Sequence, residues 1–83
     1  MTLVQPIILN NRLVAIVAGG QAIIHRTLDP GDASTVKAMC LFAIDAQRGA
    51  LPGPYSEARA LAYARRAAAA RLAAATGLRG TSR

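Results

Sequence analysis

The sequence predicts an α+β domain: a three-stranded antiparallel β-meander followed by two α-helices, in the order β-β-β-α-α. Three observations carry this. Every Val and Ile of the 83 residues lies before residue 45. Two tight-turn pairs, Asn10 with Asn11 and Gly19 with Gly20, punctuate that apolar front. Behind a Pro-rich break comes a segment dominated by alanine, the best helix former.

Residues 2–28 read as three short strands rich in Val, Ile and Leu, which suit a pleated surface. Asn tolerates positive φ, and Gly adopts it freely, so each pair can form a two-residue hairpin turn. Pro6 cannot donate to a ladder and places the first strand at a sheet edge. Regular pairing about the two turns puts Val4, Pro6, Ile8, Leu13, Ala15, Val17, Ala22, Ile24 and Leu28 on one face. The other face then carries Leu3, Ile7, Leu9, Val14, Ile16, Ala18 and Ile23. Both faces have an apolar middle, whereas a sheet with one wet face alternates more cleanly.

Asp29, Pro30, Gly31 and Asp32 form a turn signal. A helix follows, capped by Asp32 or Ser34 and ended by Gly49 in the left-handed conformation. Val36, Met39, Cys40, Ala43 and Ile44 sit at helical spacing, with Leu41 and Phe42 widening the apolar arc. Ser34, Lys37, Asp45 and Arg48 form its narrow polar arc, so this is the central helix of the core, covering one sheet face. Residues 50–55 hold two prolines and form a rigid linker. Ser56 then caps a second helix, with Glu57 in its first turn, running to about Thr76 and stopped by Gly77. Residues 1–77 thus form one domain, and residues 78–83 a frayed basic tail.

Composition bounds the function. Apolar residues make up 53% of the chain, but 19 of them are alanine. After residue 55 the only larger apolar residues are Leu61, Tyr63, Leu72 and Leu78. A chain this short builds no deep cleft of its own. Its start lacks the cationic region of a signal peptide, and residues 13–24 are too short an apolar stretch to span a bilayer. A cytoplasmic location is expected. One cysteine, Cys40, forms no intrachain disulfide, and with one histidine, His25, it supplies no zinc site. No nucleophile, base and orienting group come together, and no phosphate loop is present, so neither an enzyme nor a cofactor is expected. Asp29 and Asp32 serve the turn.

Ten basic residues, nine of them Arg, against four acidic ones give a net charge of +6. Such a chain favours anionic partners. Arg59, Tyr63, Arg65, Arg66 and Arg71 of the second helix are the candidate nucleic-acid contacts, because arginine meets phosphate and a major groove admits a helix. Leu61, Ala64, Ala68, Leu72 and Ala75 form the opposing stripe, expected to dock on another backbone. The surplus apolar surface predicts a homodimer, with Ile7, Val14, Ile16, Ile23, Leu61 and Leu72 as interface candidates. The function expected is a small nucleic-acid-binding or regulatory protein acting as a dimer. The alternative is an interaction or assembly module, using the sheet face or the alanine stripe on itself or an acidic partner.

Overall fold

A computed structural model describes residues 3–51 and 53–81, with side chains to residue 75. Residue 1, residue 2 of the expected first strand, Pro52 of the linker and residues 82–83 of the tail lie outside the described residues. Strands β1 (Val4–Leu9), β2 (Arg12–Ala18) and β3 (Gln21–Ile24) form an antiparallel sheet in sequence order. Helices α1 (Ala33–Gln47) and α2 (Glu57–Thr81) follow. The α+β meander with two helices is therefore the fold.

Both hairpins turn where the sequence places them. Asn10 and Asn11 have φ of 54° and 63°, and Gly19 and Gly20 have 59° and 76°. Two consecutive positive φ values are what a two-residue turn matched to strand twist requires. A 3-10 turn, Pro30–Asp32, leads into α1. Asp32 occupies the N-cap position without a side-chain cap bond, and Ser34 lies inside the helix. At the other end the Ala50 amide donates to Asp45 O (2.9 Å) and the Gly49 amide to Ala46 O (3.1 Å). Gly49, at φ 74°, thus closes α1 with both bonds of a Schellman motif. Ser56 caps α2 as expected, its Oγ accepting from the Arg59 amide at 3.2 Å. Gly77 does not stop α2, which continues to Thr81. A helical glycine costs about 1 kcal/mol relative to alanine, a penalty that leaves helix accessible where no turn competes.

The expected register needs correction. Leu9 pairs with Arg12 and Ile8 with Leu13, but Ile7 then pairs with Ala15. Val14 is the extra residue of a β-bulge, and both Val14 and Ala15 are buried. Beyond the bulge, Ile7 and Leu9 share a face with Ala15 and Val17, not with Ile16. That inner face lies under α1, with Val36, Met39, Cys40 and Ala43 completing the core. Ile7 and Val14, expected at a dimer interface, are instead buried in the chain's own core. The outer face is made of Val4, Pro6, Ile8, Leu13, Ile16, Ala18 and Ile23, with Gln21 at its end. Seven apolar residues and no charge make it as hydrophobic as the covered side.

Helix α1 is buried over most of its circumference, leaving Ser34, Lys37 and Leu41 exposed, so that Leu41 falls among the polar side rather than the expected apolar arc. Gln47 ties its C-terminal end to the sheet, its Nε2 donating to Leu3 O (3.3 Å) and Val17 O (3.2 Å). Helix α2 packs mainly on α1 and touches β1. No helix among the described residues is long and apolar enough to cross a membrane.

Candidate nucleic-acid interface

Helix α2 has two halves with different environments. In the first, Ala60 and Ala64 are buried against α1, with Tyr63 and Ala67 half-buried beside them. In the second, every residue from 68 to 75 is exposed. A 25-residue helix is about 37 Å long, so its C-terminal half projects as an arm. The radius of gyration, 14.5 Å, shows the same elongation. A compact chain of this length has about 12 Å.

The docked stripe shares only Ala64, and Leu61 at its edge, with the one expected. Ala60, Tyr63, Ala64 and Ala67 centre roughly 90° around the helix from the middle of the expected stripe, at 100° per residue. Of that stripe, Leu61 is half-buried at the edge of the core, while Leu72 is 70% exposed on the arm. We predict that Ala64→Leu lowers stability by about 1–3 kcal/mol through overpacking against α1. Ala62→Leu, on the solvent side, should stay within about 0.5 kcal/mol. Thermal unfolding of the two variants checks this, and equal melting temperatures would contradict the docking.

Phe42 sets the rotation. It is buried on α1, and three side chains converge on its ring. Tyr55 meets it edge-on with centroids 6.0 Å apart, and Tyr63 is tilted against it at 5.6 Å. The Arg59 guanidinium lies 5.4 Å from its centroid, within cation–π range. Arg59 Nη1 also donates to Pro54 O at 2.8 Å and sits 3.0 Å from where a Cβ on Gly53 would be. Arg59 and Tyr63 are therefore part of the α1–α2 joint, not an outward surface. The periodicity misses this because an alanine-rich helix offers no wide apolar stripe to mark its buried side.

Burial of the Tyr55 ring, then Glu57 and Cys40, pushes its hydroxyl up to about 12. The hydroxyl has no hydrogen-bond partner among the described residues. Desolvation also raises the Cys40 thiol, which keeps it protonated and unreactive in the core.

Arg65, Arg66 and Arg71 are the candidates that reach solvent. All three are exposed, and none pairs with another described side chain. Arg65 and Arg66 stand about 100° apart, flanking a strip of Ala62, Ala69 and Ala73, all exposed. Small residues between two arginines let the helix backbone approach a groove while the guanidinia reach its walls. Arg71 lies on the opposite side of the arm, in line with Ala60, Ala64 and Ala67. The charge is concentrated here: six of the ten basic residues but one of the four acidic ones lie at or after residue 57.

At the β1–β2 turn an open depression of about 290 Å³ is lined by Asn10, Arg12, His25, Asp29 and Asp32 among others. His25 Nδ1 accepts from the Thr27 amide at 3.2 Å and contacts Thr27 Oγ1 at 2.7 Å. Those bonds staple the turn after β3. The depression contains no cysteine or serine, and no metal-capable cluster of three His, Cys, Asp or Glu occurs among the described residues. The chain matches no known protein family, no curated protein and no solved structure.

Proposed function

We propose that the protein binds nucleic acid through the phosphate backbone, with the projecting half of α2 as the contact element. The observation that carries this is the arm itself. It is a helix without acidic residues beyond Glu57, exposed on every side from residue 68 to residue 75, with Arg65, Arg66 and Arg71 free of partners among the described side chains. Three unpaired guanidinia on a rigid rod release counterions from a polyanion without first breaking an internal ion pair. The recognition is of backbone charge, because alanine offers a base edge no hydrogen bond. A cytoplasmic location is consistent with this reading.

The test is titration of a duplex of about 20 base pairs at several salt concentrations. Replacing Arg65, Arg66 and Arg71 together by Gln should weaken binding by roughly 10- to 100-fold and lower the salt slope by about 2, the contribution of the two guanidinia that flank the groove-facing strip. The fold should survive, because all three are exposed. Affinity and slope unchanged in the variant would refute the reading.

A second reading is favoured by one observation. Leu72, 70% exposed in the middle of the arm, suits an apolar socket on an acidic protein better than a phosphate wall. On that reading, protein purified without a nuclease step would carry a stoichiometric protein partner and no absorbance excess at 260 nm.

A further inference from the structure

We propose that the outer face of the sheet is the contact surface for a second copy of this chain, packed face to face about a twofold axis. Both described helices lie on the other side of the sheet, so no described element remains to cover it. Val4 is 63% exposed, Leu13 51% and Ile23 70%, and Ile16 on the central strand pairs with both Pro6 and Ile23. Among the described strand residues the one polar side chain on this face is Gln21, at the start of β3.

Charge selects the occupant. The chain carries +6, and none of that charge lies on this face. An acidic protein, a phosphate backbone or an anionic bilayer finds no counter-charge here. Two copies, each of net charge +6, repel overall, and the uncharged face is where they approach at least cost. A twofold contact needs one patch complementary to itself, and an apolar sheet face meets that by aligned sheet packing at about −30°.

Size sets the strength. Burying a large aliphatic side chain removes about 60–120 Å² from water. The outward residues then contribute about 500 Å² per copy, and a pair buries roughly 1,000 Å², the lower bound for a specific interface. The dimer should dissociate on the order of micromolar concentration. The arm takes no part, so this proposal stands or falls apart from nucleic-acid binding.

Light scattering and sedimentation between about 1 and 200 μM test it, on protein freed of nucleic acid. The wild-type chain should shift from monomer to dimer over this range. Ile23→Lys and Leu13→Lys, each at an exposed position, should raise the dissociation constant at least tenfold with unchanged circular dichroism. Leu72→Lys and Leu41→Lys, at exposed apolar positions off this face, should leave it unchanged. The proposal is overturned if the wild-type chain is monomeric throughout, if both sheet variants still dimerise, or if Leu72→Lys alone separates the copies.

Discussion

Replacing Phe42 by alanine should cost about 3–5 kcal/mol, the range for removing a buried aromatic side chain. That is a large share of the total for a domain this small, typically about 5–15 kcal/mol. The loss exceeds one cavity, because Phe42 is the common partner of Tyr55, Tyr63 and Arg59. Without its ring, α2 keeps chiefly Ala60, Ala64 and the edge contact of Leu61 against the core, and the Arg59 bond to Pro54 O loses its platform. Urea unfolding followed by circular dichroism measures the change. Phe42→Ala and Arg59→Ala should also couple in a double-mutant cycle, by about 0.5–3 kcal/mol for residues in contact. Additive effects would show that the guanidinium contributes nothing at the ring. Tyr55→Phe in the same cluster should be neutral or stabilising, since it removes a buried hydroxyl without a described partner.

Ile7→Ala should cost about 2–5 kcal/mol, and Ile8→Ala roughly 1 kcal/mol or less. The two residues are adjacent and chemically identical. Ile7 has no exposed surface and lies under α1, while Ile8 is half-buried on the outer face beside Leu13. Regular pairing from the Asn10 and Asn11 turn predicts the reverse: it puts Ile8 with Ala15 and Val17, and Ile7 with Val14 and Ile16. Equilibrium unfolding of the two variants therefore distinguishes the registers. Equal losses, or a larger loss at Ile8, would mean that the bulge at Val14 is absent.

The elements and most of their ends were legible because each depends on local chemistry, the exceptions being the cap of α1 and the C-terminal end of α2, which runs past Gly77. Asn10, Asn11, Gly19 and Gly20 mark turns by backbone freedom, and Gly49 and Ser56 mark helix ends by the bonds they can complete. The surplus of apolar surface was also legible, since either register leaves both sheet faces hydrophobic. The candidate site was legible as charge but not as geometry. Arg65, Arg66 and Arg71 are exposed as the sequence suggests, whereas Arg59 and Tyr63 turn inward to Phe42.

The sequence by itself thus determined the order of elements, the turns, the Gly49 and Ser56 caps and the cationic character of the last helix. Tertiary structure alone decided two things. One is the bulge that moves Ile7 and Val14 into the core, which the flanking residues permit but do not require. The other is the rotation of α2. An alanine-rich helix has nearly equivalent sides, so its buried side is chosen by a distant ring, Phe42, and by the reach of Arg59 rather than by any pattern along the helix.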